Sequence, residues 1–388
     1  MELYKKRISD LGRIVTGKTP RTSNAENYGG KIPFLTPSDD LSGKFAPKTV
    51  KTITELGLSE VRNCLLPSKS VCVSCIGSDL GKVVITNEPT VSNQQFNSII
   101  PTEENDTDFI YYLMTIVGKE LNFLSKTSTA VPIINKSTFA DYEIEIPSLE
   151  NQRRIAKVLS SLDDKIEVNR RINDNLEQRG QALFEEYVMN LNKPRTQLLS
   201  DYALINPTRT IAKGRAARCI EMSSLPTKGT FPSDWTFKEY NGGMKFRNSD
   251  TIMARITPCL ENGKTAYINF LDENEVAFGS TEYIVLSAHE GFCSELLYFL
   301  ARYDDFVSYA VSHMNGSSGR QRVSGNDIAN YVMPEISNET MDVVSEKLHG
   351  IMEVIKNNSL ESRRLAEIRD ALLPRLMSGD FKLEEVNM

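Results

Sequence analysis

Apolar side chains recur every seven residues through the middle of the chain. Ile155, Leu162, Asn169, Leu176 and Leu183 mark the period, and Val158, Leu159, Ile166 and Ile172 stand beside it. This spacing predicts a long helix with one apolar seam, of the kind that pairs in a coiled coil. The pattern returns in Val344, Ile351, Asn358, Leu365 and Leu372, with Leu348, Ile355, Ile368 and Leu376 alongside. The offset between the two series is constant, and Asn is the third member of each.

The stretches before the two helices also correspond. ISDLG at Ile8 echoes LSDYA at Leu199, SVCVSCIGSDLGKVVI from Ser70 echoes DTIMARITPCLENGKTAYI from Asp250, and TVSNQQFNSII from Thr90 echoes EVAFGSTEYIV from Glu275. Each half then passes through a Ser/Thr-rich stretch to a hydrophobic-Pro pair, Ile146-Pro147 or Met333-Pro334. The prolines break the chain before each helix, with Ser148 and Ser337 or Asn338 as N-caps. Pro194 stops the first helix, and Gly379 offers the second a left-handed cap. The expected division is a strand-rich domain over 1–147, a helix over 148–193, a second such domain over 194–334 and a second helix over 335–388. The fold class is α/β, mixed α+β: two pseudo-symmetric strand-rich domains separated by two long antiparallel coiled-coil helices.

A helix of about 40 residues is about 60 Å long. Alone, each helix would expose its apolar stripe, so the two are expected to bury their seams against each other. Antiparallel pairing brings the central members together and sets Asn169 near Asn358, where a buried Asn lowers stability but fixes register.

Composition adds limits. A hydrophobic fraction of 40% and a charged fraction of 25% are those of a globular protein, and no run reaches the length of a membrane span. MELYKKRISDLG lacks the apolar core of a signal peptide, so a cytoplasmic protein is expected. Six scattered cysteines suit a reducing compartment. Cys72 and Cys75 form a CxxC, but they lie in an alternating strand with no second CxxC, and the three histidines are not at ligand spacing; no metal is expected. The net charge of −6 argues against coating of DNA by bulk electrostatics. Most of the acidic excess falls from residue 335 onward, which leaves the two large domains close to neutral.

The half-repeat, IPSLENQRRIAKVLSSLDDKIEVNRRINDNLEQ from Ile146, GKTP at Gly17, GSTEYIVL at Gly279 and LAEIRDALLPRLMSGDF from Leu365 together resemble the specificity subunit of Type I restriction-modification systems. The resemblance covers essentially the whole chain, and the helix segment is its most specific part. It implies a chain with no catalysis of its own. Two target-recognition domains would each read one half of a split, asymmetric site on double-stranded DNA, with the helices setting the spacer between halves. The helices would also dock two modification subunits, which methylate adenine, and restriction/translocase subunits would join them. S-adenosylmethionine, ATP and Mg are expected on those partners and no cofactor on this chain. One DNA turn is about 34–36 Å, so a rod of about 60 Å can hold two domains on successive major grooves.

Base edges are read by Arg or Lys at guanine, Asn or Gln at adenine, and Asp or Glu at cytosine. On loops of the first domain such residues are Lys18, Thr19, Arg21, Ser38, Asp39, Ser78, Asn93, Gln94, Gln95 and Asn97. In the second they are Arg255, Thr257, Ser280, Thr281, Glu282, Arg320, Gln321 and Arg322. GRQR stands out, because two arginines around a Gln with no acidic neighbour until Asp327 are poor core material. Arg215 and Arg218 form a basic cluster suited to phosphates, which position without specifying. Off the helical seam, Arg153, Arg154, Arg170, Arg171, Arg363 and Arg364 face partners or solvent.

Rival readings are weaker. CLENGKT resembles the tail of a phosphate-binding loop, but Pro258 stands where that loop requires Gly; this string and GSDLGKV are expected to be turns entering strands. NPTR at Asn206 lacks the second Pro and the aromatic of an adenine methyltransferase tetrad. Asp163, Asp164 and Lys165 lie on the coiled-coil helix, where a solvated face is expected rather than a nuclease centre. Two alternatives remain open: a recognition subunit of a methylation-only system, and a coiled-coil interaction scaffold with no DNA role.

Overall fold

The computed structural model describes residues 1–77, 80–125, 133–190, 195–317 and 319–380. It separates into two compact units, one of Met1–Lys165 with residues 364–380, the other of Ile166–Arg363. Each unit therefore takes one strand-rich domain and one stretch of both long helices, whereas the sequence reading set the helices apart as segments of their own.

In the first unit Val71–Ser74 is buried throughout. It lies in a four-stranded antiparallel sheet ordered Gly12–Thr16, Phe96–Pro101, Val71–Ser74, Val83–Ile85. Val71, Val73 and Cys75 join one apolar cluster with the helix Thr107–Ser125. Cys72 and Val84 join another with Leu35 and Leu66. Both faces are covered, which is why this strand reads as a near-continuous apolar run. A second sheet is ordered Lys51–Ile53, Tyr28–Leu35, Thr90–Ser92, Leu65–Leu66 and contains one parallel pair, Phe34 beside Val91. Tyr4–Arg7 pairs with Glu143–Ile146 where the chain enters the first long helix.

The second unit repeats this topology. One sheet runs Ala203–Ile205, Tyr283–Ala288, Asp250–Ala254, Thr265–Ile268. The other runs Thr236–Glu239, Ala216–Ile220, Ala277–Gly279, Lys245–Phe246, again with one parallel pair, Cys219 beside Phe278. Thr196–Leu198 pairs with Val332–Pro334. The helix on the first sheet is here two, Ser294–Arg302 and Asp304–Ser312.

The first long helix is Leu149–Phe184, continued by a wider π-type turn over Glu185–Met189. Pro194, expected to stop it, lies outside the described residues. The second is Asn338–Ser378; Ser337 Oγ accepts from the Thr340 amide at 3.2 Å, and Gly379 closes it at φ 78°. Pro374 sits inside its last turns, where it deprives the helix of one amide donor.

The helices pair antiparallel in each unit. In the first, Ile155, Val158 and Leu159 share the core with Leu373 and Leu376, and Leu372 packs at its edge. In the second, Val344, Leu348, Ile351 and Ile355 are buried, with Leu176 and Leu183 packed against them. There Asn169 Nδ2 lies 3.4 Å from the Asn358 carbonyl and 2.7 Å from Glu361 Oε2, while Asn358 Nδ2 donates to Asn173 Oδ1 at 2.9 Å. Leu162 and Leu365 are half-buried. Ile172 and Ile368 are each 40% exposed, so these two fall outside the seam expected for them. Asp163 also differs from expectation. Its carboxylate, 11% exposed, accepts from the Tyr112 hydroxyl and from Arg369 Nη1 at 2.7 Å, so it is an internal anion rather than part of a solvated face.

Candidate nucleic-acid interface

In the first domain the strand Gly12–Thr16 runs into the GKTP loop. The Gly17 amide donates to Phe96 and the Lys18 amide to the Ser92 carbonyl at 2.9 Å. A Cβ on Gly17 would lie 2.1 Å from the Asn93 carbonyl oxygen, so only glycine lets the two segments approach. The approach brings Thr19 Oγ1 to 2.7 Å from Gln94 Oε1, beside exposed Lys18 and Arg21. The Arg21 amide donates to Glu60 at 2.9 Å and holds that carboxyl below its usual range. Glu60 was not legible as part of this loop, because it lies 39 residues away on another element.

Three expected readers of this domain are instead engaged inside it. Asp39 is buried, its carboxylate accepting from the Thr36 amide at 2.7 Å and the Val50 amide at 2.7 Å. Asn93 is buried and accepts from the Gln95 amide at 3.0 Å. Asn97 is buried between Thr16 Oγ1 and the Ile134 carbonyl. Their side chains satisfy loop and strand-end groups that would otherwise be stranded. Exposed Ser38 is bonded to the Thr36 hydroxyl. Ser78 lies outside the described residues.

In the second domain three separate segments converge. The Arg255 amide donates to the Glu282 carbonyl at 3.0 Å, the Val323 amide to the Arg255 carbonyl at 3.0 Å, and the Thr257 amide to the Gln321 carbonyl at 3.1 Å. Ser280 Oγ accepts from the Glu282 amide, and Thr257 Oγ1 donates to Glu261. Thr281 and Arg320 are exposed, and Gln321 is half-buried. Arg322 grips Glu282 with Nε and Nη2, the latter at 2.7 Å, and this holds the Glu282 carboxyl below its ordinary range.

Arg215 is exposed, whereas Arg218, expected at phosphates, is buried. Its Nε donates to Glu275 at 3.1 Å, and its guanidinium lies over Trp235 and Phe270. Arg363, read as outward-facing, lies 3.8 Å from the Trp235 ring centroid and 3.1 Å from Asp234. Arg154 pairs with Glu150, and Arg170 and Arg171 with Glu167, along the helix; Arg153 and Arg364 are exposed.

The two convergences share one backbone frame. The Cys75 amide donates to Gln95 as Arg255 does to Glu282, and the Ile134 amide donates to Cys75 as Val323 does to Arg255. Asn93 and Ser280 each cap the amide two residues on, and Asn135 and Ser324 each cap the short helix that follows.

Among the described residues no group of three metal-ligating side chains forms a site. Cys72 and Cys75 face different clusters, with thiols pushed up to about 12 and about 11 by burial. GSDLGKV is described only in part, and Cys259–Lys264 is a turn entering the strand Thr265–Ile268. Among the described residues no helix is long and apolar enough to cross a membrane.

The family model of the Type I restriction modification DNA specificity domain matches residues 2–178. The chain is similar to Type I specificity subunits. The MjaIX specificity subunit of Methanocaldococcus jannaschii is 27% identical over 98% of this chain and 94% of that one. The HindI specificity subunit of Haemophilus influenzae is 36% identical over 44% of this chain and 38% of its own length. In fold, the Type I specificity subunit of M. genitalium matches with a TM-score of 0.56 at 17% identity, over 97% of this chain and 96% of that structure.

Proposed function

We propose that this chain is the DNA-reading subunit of a Type I restriction-modification complex, each strand-rich domain reading one half of a bipartite, asymmetric site on double-stranded DNA. The observation that carries the reading is the frame shared by the two domains. Equivalent backbone bonds support Cys75, Gln95 and Ile133 in one and Arg255, Glu282 and Arg322 in the other. One scaffold with different side chains at its loops is what two different half-sites require.

In this reading the paired helices set the unread spacer and dock two adenine-modification subunits. Val168, Ile172, Val343 and Val354 keep apolar surface exposed on them. Restriction/translocase subunits join through that complex. S-adenosylmethionine, ATP and Mg reside on the partners, and this chain performs no catalysis. Its acidic balance assigns much of the phosphate neutralisation, normally a large part of affinity, to basic partner surfaces. The complex works in the cytoplasm.

The test is single-molecule mapping of adenine methylation in a host carrying this chain with its cognate modification subunit, beside a host carrying that subunit alone. A split motif that appears only with this chain supports the reading. Methylation indifferent to the chain, with both proteins expressed and associated, contradicts it and favours a scaffold.

A further inference from the structure

We infer that Arg322, held in place by Glu282, reads a guanine in the half-site served by the second domain, and that the first domain has no counterpart at the same place. The inference rests on the DNA-reading role proposed above and adds a base, a residue and a half-site to it.

The donor count is the first support. A guanidinium has five N–H groups. In Arg322 the Nε–H and one Nη2–H go to Glu282, and one Nη1–H goes to the Arg320 carbonyl at 3.0 Å. One N–H remains on each terminal nitrogen. Donors on both terminal nitrogens can match O6 and N7 of guanine in the major groove, whereas adenine sets an amino donor beside N7 and repels one of them. The side chain is 38% exposed, so an outside acceptor can approach it.

The second support is that the fold does not need the ion pair. Arg322 bridges Ile256 as Ile133 bridges Ile76, and Glu282 holds the place of Gln95. The first domain thus closes the same frame with an exposed isoleucine and a neutral amide. A partly exposed ion pair contributes little stability, so stability alone gives weak reason for one domain to carry it.

Glu282 supplies what a reader needs. It fixes a long side chain that would otherwise lose rotamer freedom on binding. It also offsets the charge of Arg322, which weakens a bare attraction to phosphate and leaves recognition to hydrogen-bond geometry. The Ser280 hydroxyl, accepting from the Glu282 amide at 3.0 Å, holds the backbone beneath it. Arg322 is the reading residue here and Glu282 a positioning residue.

The experiment maps adenine methylation in hosts carrying the cognate modification subunit with the unaltered chain, R322K or E282Q. R322K keeps the charge but loses the planar fork. The expected result is loss of preference at one G·C pair of one half-site, by about fivefold to a hundredfold. The other half and the spacer stay unchanged, which also shows that the variant has folded and assembled. E282Q relaxes the same position less. A motif that R322K leaves intact, or a uniform fall at every site, overturns the inference while the DNA-reading role stands. Absence of any chain-dependent motif with the unaltered chain overturns both.

Discussion

Asn169 donates from its side chain toward the backbone carbonyl of Asn358 at 3.4 Å, across 189 residues of sequence. Both stand third in their heptad series, so the contact is the register that the repeat implies. Asn169 is fully buried, and its Oδ1 has no hydrogen-bond partner among the described residues.

Asn169→Leu should therefore stabilise the helix pair, because a buried unpartnered amide oxygen costs about 1–3 kcal/mol. The expected readout is a higher midpoint in thermal or urea unfolding of the full chain. A lower midpoint would show that the bond to Glu361 at 2.7 Å outweighs the orphaned oxygen.

Trp235 is the only tryptophan in the chain, and it stacks on Phe270 with the Arg363 guanidinium 3.8 Å from its ring centroid. This contact ties a loop of the second domain to the second long helix. Arg363→Ala should change tryptophan emission and lower stability by about 0.5–2 kcal/mol. Unchanged emission would mean that the contact does not persist in solution.

Asp163 is largely buried and depends on Arg369, with the Tyr112 hydroxyl as a second donor. Removing only the cation strands the anion. Arg369→Leu should cost about 3 kcal/mol or more, and Asp163→Asn in the same chain should recover part of the loss. A cost for the double variant equal to the sum of the singles would argue against the pairing.

The repeat, both long helices and their antiparallel partnership were legible because heptad spacing and duplicated segments are local patterns with a defined period. The convergence of Arg255, Glu282 and Arg322 was legible as three loops rich in base-reading side chains, but not as one place, since their juxtaposition depends on sheet order. Burial misled the loop reading at Asp39, Asn97 and Arg218. Loop composition does not tell a solvent-facing polar side chain from one that holds the loop. Arg363 shows the converse, an off-seam position that looked outward until the Trp235 loop covered it.

Glu282 offers a pH test that needs no DNA. Its hydrogen bond from Arg322 depresses the folded pKa, so the folded state binds a proton less readily than the unfolded chain. The pair's stabilisation is fully present above the ordinary glutamate value of about 4.3 and is lost as pH falls through the lower folded value. Solvent screening of this partly exposed pair keeps the effect small. Glu282→Gln should remove this component from the acid limb of the stability profile, and an identical acid limb in both proteins would contradict the pairing.

The two domains, built on one scaffold, are proposed to read two independent half-sites. Replacing residues 195–334 with the matching segment of the M. jannaschii relative, then mapping adenine methylation with the cognate modification subunit, tests this most directly. The expected motif has one half changed while the other half and the spacing stay fixed. A swap that alters both halves together, or leaves the motif as it was, would contradict it.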